Sequence, residues 1–501
     1  MTTRGDFAPN APCFGPAREG FEEILVWLRG PAASLDHAAL EEEVDTRGNE
    51  LLRRMVQGWL DERSHADERK HAQASPREGV SVRSYTRQIE TGFGLVALRR
   101  VGQKVAGQHA TFVLDKQLNL PADRYSHPLR RRVVEEARDR AWDNAVERVD
   151  RTTGGHVPKR QAQELAIKAT QDVDEFYKHR EPPKSLGGAA LLLGSSDCKG
   201  VRMLPRALRP ATQKAAAAEK AEASHGDPMQ RKKLRSHDKR MATVTAVWEQ
   251  QPEPRVATDI VSELNRGPKD PKDKKAPKGV ARPENKRVSA SLKRNVPTSV
   301  AEMFDEFDRR DPTRLREVSV LVDGDEHQQT AILAEGRKHK RSFRLVLDII
   351  HVIHYLWLAG FALSHRKRKA TNLWMSTHLM MLLTRPVAEL IAAIETAATT
   401  KTLSARENKS VNKALCYLRR NAPFLDYPTY LALGLPIATG LIEGACRHLI
   451  QDRLGITGAK WGLEGAEAML RLRALHSSGD WDEYWRYHLA KERQRNYQNV
   501  A

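Results

Sequence analysis

Cysteine is scarce in this 501-residue chain, and its four cysteines lie far apart without a Cys-x-x-Cys pair. Such spacing predicts neither a disulfide framework nor a zinc ribbon. The first residues, MTTRGDFAPNAPC, also lack the apolar core of a secretory signal. Both absences favour a reducing cytoplasm as the compartment.

Uninterrupted apolar runs of membrane length are also lacking. The longest apolar stretch, residues 345–363, is interrupted by Asp348, His351 and His354. A charged side chain at the centre of a bilayer costs roughly 2.5 to 3.5 kcal/mol. The stretch therefore predicts a buried helix of a globular core, and we expect no membrane partner.

Acidic residues are outnumbered, with 64 Asp plus Glu against 83 Lys plus Arg, which leaves a formal charge of +19. An excess of this size points to a polyanionic partner. Aromatic residues make up only 6% of the chain, but 40% of it is hydrophobic, enough for a substantial core. The length predicts about three domains.

The first 183 residues predict two regions. Apolar residues recur at spacings of three and four up to about residue 74, which predicts a helical region over residues 1–80. Residues 81–183 then begin with VRSYTRQIETGFGLVALRRV, a β-hairpin pattern. A helical pattern from 129 to 177 follows, broken once at 153–158, which suggests a helix-turn-helix. Lys159, Arg160 and Gln161 would begin its DNA-reading helix; an ordinary helical hairpin is the alternative.

Residues 184–475 alternate apolar runs of strand length with basic segments. The basic segments, at about 205–239 and 265–297, are rich in Lys and Arg and predict mobile inserts that contact phosphates. The strand-like runs are residues 188–194, 200–204, 241–248 and 318–322, and helices are expected from about 345 onward. This order predicts an α/β layer fold with inserts, and residues 476–501 predict a basic C-terminal tail.

Two of the strand-like runs end in an aspartate, Asp197 and Asp323. Carboxylates at neighbouring strand ends suit Mg²⁺, and paired ions can clamp the attacking and leaving oxygens of a phosphoryl transfer. A third carboxylate would have to come from elsewhere, and Glu443, in the first turn of a predicted helix, is a candidate. Each residue has an ordinary alternative: strand-end aspartates are common in turns, and Glu443 could form a surface ion pair with Arg447.

Four segments resemble the bacterial insertion-sequence transposases of the ISKra type, which are DDE transposases with a ribonuclease-H-like catalytic core. The most specific is the block at 436–475, PIATGLIEGACRHLIQDRLGITGAKWGLEGAEAMLRLRAL. The others are SSDCKGVRM at 195–203, LVDGDEHQ at 321–328 and LDIIHVIHYLW at 347–357. The resemblance implies a ribonuclease-H-like DDE domain over residues 184–475, after a DNA-binding region.

The resemblance implies that Asp197, Asp323 and Glu443 are the catalytic acids and hold Mg²⁺, with Mn²⁺ as a substitute. Asp348 begins a D-x-x-H motif and is an alternative second acid. We prefer Asp323 because it directly ends a strand-like run, whereas Asp348 lies within a helical periodicity. The expected phosphate contacts near the metal ions are Lys199, His351, Arg447 and Arg453.

The expected activity is metal-dependent DNA cleavage and strand transfer at the ends of an insertion sequence. The expected partners are double-stranded DNA, both terminal inverted repeats and target, and further copies of the chain, in a bacterial cytoplasm at the nucleoid. No cysteine pair follows the hairpin between residues 99 and 110, so no zinc is expected there. The alternatives are a ribonuclease-H-like nuclease without strand transfer and a catalytically silent DNA-binding protein derived from a transposase.

Overall fold

The computed structural model describes residues 12–75, 78–223, 238–265, 281–364 and 368–497. The chain forms two compact units: Met1–Lys178 with Asp482–Ala501, and His179–Trp481. Much of the two basic segments expected to be inserts, residues 224–237 and 266–280, lies outside the described residues.

The first unit begins with a helical hairpin of α1 (Gly15–Arg29) and α2 (His37–Gln73). Asp36 starts α2 because its carboxylate accepts a hydrogen bond from the Ala39 amide at 2.8 Å. The helices run antiparallel: the Arg47 guanidinium lies 4.3 Å from the Trp27 ring centroid, and a methyl group on Gly58 would lie 2.5 Å from the Cys13 carbonyl. The helical prediction is confirmed over Gly15–Arg29 and His37–Gln73.

A three-stranded antiparallel sheet follows, made of β1 (Val80–Thr91), β2 (Gly94–Val105) and β3 (Thr111–Phe112). The turn at Gly92 and Phe93 is stabilised by Thr91, whose hydroxyl donates to the Gly94 carbonyl at 2.8 Å. Val56 and Leu60 of α2 pack against an apolar cluster that includes Ile89, Val96, Leu98 and Leu114. The predicted hairpin is confirmed.

Five helices complete the first unit along the chain before residue 180: α3 (Val113–Gln117), α4 (His127–Asp139), α5 (Trp142–Thr152), α6 (Lys159–Lys168) and α7 (Val173–His179). The prediction of a single break between 129 and 177 is wrong, because breaks also occur at 140–141 and 169–172. Tertiary packing accounts for the first of these: the turn brings Val149 of α5 onto Leu129 and Val133 of α4, a contact that local periodicity does not reveal.

The C-terminal helix, α20 (Trp481–Tyr497), packs within the first unit. The Tyr484 hydroxyl donates to the Ala169 carbonyl at 2.7 Å, and Arg130 forms an ion pair with Glu492 at 2.6 Å. Up to Tyr497, the last residue that the structure describes, this corrects the expectation of a basic tail over residues 476–501. Besides its basic residues, α20 contains aromatic and acidic residues that contact earlier helices. The helix is therefore part of a folded core.

The second unit contains a mixed five-stranded sheet in the order β6-β5-β4-β7-β8. Its strands are β4 (Leu191–Arg202), β5 (Lys239–Gln250), β6 (Glu284–Ser291), β7 (Val318–Val322) and β8 (Arg344–Leu347). Strands β6, β5 and β4 are antiparallel neighbours, whereas β7 is parallel to both β4 and β8. The mixed α/β class predicted from the sequence is therefore confirmed.

Three details of this sheet differ from the sequence prediction. Residues 188–194 and 200–204 contribute to one long strand, β4, because pairing with β5 continues through the polar residues between them. β6 lies inside the segment expected to be a basic insert, where Val288 and Ala290 are buried and Arg287 pairs with Glu306. β8 lies at the start of the apolar run interpreted as a helix.

Helices surround this sheet. Between β4 and β8 these are α8 (Pro210–Ala223), α9 (Ala257–Asn265), α10 (Val296–Arg310) and α11 (Glu326–Lys338). After β8 the chain forms α12 (Ile349–Leu363), α13 (Arg368–Thr384), α14 (Val387–Thr399), α15 (Ala405–Asn421), α16 (Tyr427–Ala432), α17 (Gly440–Cys446), α18 (Asp452–Leu454) and α19 (Leu463–Ser478). Among the described residues, no helix combines the length and apolar character needed to cross a bilayer.

Candidate active site

Asp197 lies within β4, just beyond the point where the neighbouring parallel strand stops. β7 pairs with β4 only from Leu192 to Ser195, while β5 pairs along the whole of β4. Ser195 and Ser196 are buried, and Asp197 is half-buried. The early end of β7 thus leaves one side of Asp197 facing an open cleft.

Asp323 directly follows β7 and reaches the same end of the sheet. Gly324 turns the chain with φ +92°, and Asp325 then starts α11 by accepting a hydrogen bond from the Gln328 amide at 3.0 Å. The Asp323 carboxylate accepts a hydrogen bond from the Asp325 amide at 3.0 Å. Burial, reinforced by the negative charge of Asp197, raises the pKa of Asp323 above its usual value.

Glu443 comes from α17, in the first turn of the helix as predicted. Ile442, Ala445 and Cys446 are buried and fix the orientation of the helix, and Glu443 is exposed. A π-helical turn, Arg447–Gln451, continues the chain. Arg447 lies 3.8 Å from Asp452, and this contact replaces the Glu443 ion pair considered from the spacing.

These three acids line one cleft of about 310 Å³ in the second unit, together with Lys199, His351 and Arg447. The structure therefore brings together six of the residues singled out in the sequence. Their donor set suits a hard divalent cation, because three carboxylates supply oxygen ligands, and the charge of Asp197 contributes to the raised pKa of Asp323. Lys199 and Arg447 add positive charge to the same cleft.

Asp348 is fully buried and does not line the cleft. It lies between β8 and α12 rather than inside a helix, which corrects the argument used against it from the sequence. Its carboxylate accepts hydrogen bonds from the Ile350 amide at 3.0 Å and the Thr439 hydroxyl at 2.6 Å, and lies 2.9 Å from His351 Nδ1. Burial alone would raise the pKa of Asp348, but these contacts outweigh it and lower the pKa.

His351 connects this buried carboxylate to the cleft. Its hydrogen bond with Asp348 raises the pKa of the imidazole, and the charges of Asp348, Asp323 and Glu443 act in the same direction. Asp348, His351 and Glu443 also offer ligand atoms that lie within 4.8 Å of one another. This group is a second arrangement with the spacing of a metal site, and it includes Asp348, the alternative second acid.

Among the cleft residues that the sequence did not identify, Thr439 and Cys446 form hydrogen bonds with Asp348 and Asp197. The Cys446 thiol donates a hydrogen bond to Asp197 Oδ2 at 3.2 Å. Burial, with the nearby charge of Asp197, raises the pKa of Cys446, and burial raises that of Cys198 to about 11. Both thiols are therefore protonated at neutral pH. No local signal identifies either role, since Thr439 resembles an ordinary helix cap and Cys446 an ordinary core residue.

Arg453 does not reach the cleft. It is buried, and its guanidinium lies 4.8 Å from the Trp461 ring centroid. This corrects the expectation that Arg453 contacts phosphate. The sequence could not reveal this, because the partner ring comes from a separate turn.

Lys159, Arg160 and Gln161 belong to the first unit, where they begin α6. Lys159 pairs with Asp143 of α5 at 2.7 Å, and Arg160 pairs with Glu164 at 3.3 Å. Ala162 and Leu165 of α6 are buried, whereas the Lys159 and Arg160 side chains are exposed.

No protein-family model matches this chain, and no curated protein matches its sequence. The resemblance to insertion-sequence transposases therefore stays a prediction.

Proposed function

We propose that this protein is a DDE-type DNA transposase of an insertion sequence, with a ribonuclease-H-like core in the second unit. One observation carries the proposal: Asp197 of β4, Asp323 after β7 and Glu443 of α17 line a single cleft. These residues are far apart in the chain, and they are the three acids that the family resemblance implies.

The acids of the cleft would hold Mg²⁺, with Mn²⁺ as a substitute. The bound ions would supply an activated water and neutralise charge on the leaving oxygen of a phosphodiester. Lys199 and Arg447 would bind the phosphate groups that flank the reacting one. His351, held by Asp348, would orient its ring toward Asp323 and Glu443 and act as a further cation near the substrate.

The first unit would recognise the terminal inverted repeats, with Lys159 and Arg160 of α6 as contacts to DNA. Both side chains are exposed and basic, which supports this part of the proposal. Target DNA would enter the cleft of the second unit, and two copies of the chain would hold the two ends at the nucleoid.

The test uses Asp197→Asn, Asp323→Asn and Glu443→Gln in the full-length protein, with DNA that carries the element ends. We expect each variant to bind DNA like the wild type and to lose cleavage and strand transfer. Asp305→Asn is the matched control, since Asp305 is exposed on α10 and does not line the cleft. Cleavage retained by all three cleft variants would overturn the assignment.

The same assays separate the alternatives. A wild-type protein that cuts the ends without joining them to target DNA would be a nuclease. A wild-type protein that binds DNA and cuts in neither Mg²⁺ nor Mn²⁺ would be a catalytically silent descendant.

A further inference from the structure

One face of the α1–α2 hairpin exposes a row of large apolar side chains. Six residues, each between 39% and 49% exposed, form this apolar stripe: Phe21, Leu28, Val44, Leu52, Met55 and Trp59. Apolar patches of several hundred Å² are the largest that soluble monomers typically expose, and such patches are often functional.

The residues of the stripe share one side of the hairpin. At about 100° per residue, Val44, Leu52, Met55 and Trp59 fall within an arc of roughly 80° on α2. On α1, Phe21 and Leu28 lie on nearly the same line. On each helix, the stripe residues lie about a quarter turn around the helix axis from the residues that form the α1–α2 contact. Because the helices are antiparallel, these rotations place both sets on the same side of the hairpin.

The other faces of α2 are already occupied within this unit. Val56 and Leu60 pack against the β1–β2 sheet, and Gly58 lies against the chain just before α1. The Arg54 side chain lies against Gly20 of α1. The stripe is thus a third face of α2, separate from its contacts with the sheet and with α1. Two helical hairpins that pair through such apolar faces form a four-helix bundle.

We propose that the apolar stripe is a homodimer interface, in which two copies of the chain pair their α1–α2 hairpins as a four-helix bundle. The six side chains expose on the order of 500 Å² per copy, so a symmetric pair would bury roughly 1,000 Å² before any polar rim is counted. That area reaches the size of a specific interface. In a pair related by a two-fold axis, each copy covers the apolar stripe of the other. Assembly therefore stops at the dimer, and no stripe stays exposed.

The charges beside the stripe favour an antiparallel pair of α2 helices centred on Leu52. Glu41, at one end, is exposed, and Arg63, at the other end, lies 5.1 Å from the Trp59 ring centroid. Glu41 and Arg63 are equally far along the chain from Leu52. A two-fold axis at Leu52 therefore places Glu41 of each copy beside Arg63 of the other.

The oligomeric state of the full-length chain in solution tests this proposal, independently of the catalytic one. We expect a dimer by sedimentation or light scattering at micromolar concentration without DNA. Leu52→Glu with Met55→Glu places charges in the interface and should raise the dissociation constant at least about 100-fold. Val26→Glu is the matched control, because Val26 is 67% exposed on α1, away from the stripe, and it should stay dimeric.

Circular dichroism checks that each variant is folded. A monomeric wild type, a stripe variant that dimerises like the wild type, or a control that dissociates equally would each overturn the interface. Glu41→Lys and Arg63→Glu should each weaken the dimer, and the two together should restore it. Failure of the combined exchange would overturn the antiparallel arrangement.

Discussion

The hydroxyl of Thr439 donates a hydrogen bond of 2.6 Å to Asp348 Oδ2, across 91 positions of the chain. Asp348 directly follows β8, and Thr439 immediately precedes α17, the helix that carries Glu443. The Ile349 amide also donates to the Ile437 carbonyl at 2.8 Å. These bonds attach the start of α17 to the edge of the sheet, so the position of Glu443 depends on Asp348.

Thr439→Val should therefore slow cleavage more than it weakens DNA binding. The change removes one donor from a fully buried carboxylate and frees the start of α17. We expect a cost of about 1 to 3 kcal/mol in stability and a 10- to 100-fold lower cleavage rate. Thr439→Ser keeps the hydroxyl and should restore the rate in a single-turnover assay. A valine variant as fast as the wild type would show that Thr439 does not position the site.

Gly324→Ala should destabilise the second unit, because this residue has φ +92° and a methyl group there would lie 2.6 Å from Tyr417 Oη. The expected loss is about 1 to 3 kcal/mol of the free energy of unfolding, measured with urea. Gly465→Ala is the control: nothing lies within 4 Å of its added methyl group, and it is helical. Its stability should be unchanged or higher by up to about 1 kcal/mol.

Asp172→Asn should weaken the attachment of α20 within the first unit. Burial opposes ionisation of Asp172, but His488 at 2.6 Å and Arg495 at 2.5 Å outweigh it and lower its pKa below the usual 3.8. The resulting stability is present above pH 3.8 and is lost as pH falls through the lower folded-state pKa.

Urea unfolding at several pH values measures this effect. The variant should lose about 3 kcal/mol at neutral pH and show a weaker acid dependence than the wild type below pH 3.8. Asp482→Asn is the control, because the Asp482 side chain is 78% exposed although it pairs with Arg131. Its stability should change by less than about 1 kcal/mol. Equal losses in the two variants would contradict the prediction.

Arg160→Ala should lower the affinity for element-end DNA and its dependence on salt. Each phosphate that the protein no longer neutralises reduces the log-log salt slope by about 0.9 on duplex DNA. Arg385→Ala is the control, since Arg385 also forms an exposed i, i+4 ion pair but lies just before α14 in the second unit. Affinity measured by fluorescence anisotropy at several salt concentrations distinguishes the two. An unchanged slope for Arg160→Ala would exclude binding of phosphate by this residue.

Much of the local structure follows from the sequence. The alternation of Val, Tyr, Thr and Ile predicts the β1–β2 hairpin, and the spacing of apolar residues predicts α1 and α2. The four-residue strand β8 was missed because its apolar residues continue into the apolar helix α12 without a break in composition. Only its pairing with β7 distinguishes strand from helix there, and that pairing joins segments separated along the chain.

The sequence by itself determined the charge, the main helices and the hairpin, because residue type and local spacing carry that information. Asp197, Asp323 and Glu443 were singled out by the family resemblance. Tertiary structure alone decided that these acids share a cleft, that Asp348 is buried behind it and that Arg453 faces Trp461. Each of these outcomes depends on which side chains meet after distant segments pair. The local pattern of residues does not show which side chains become buried or hydrogen-bonded when such segments meet.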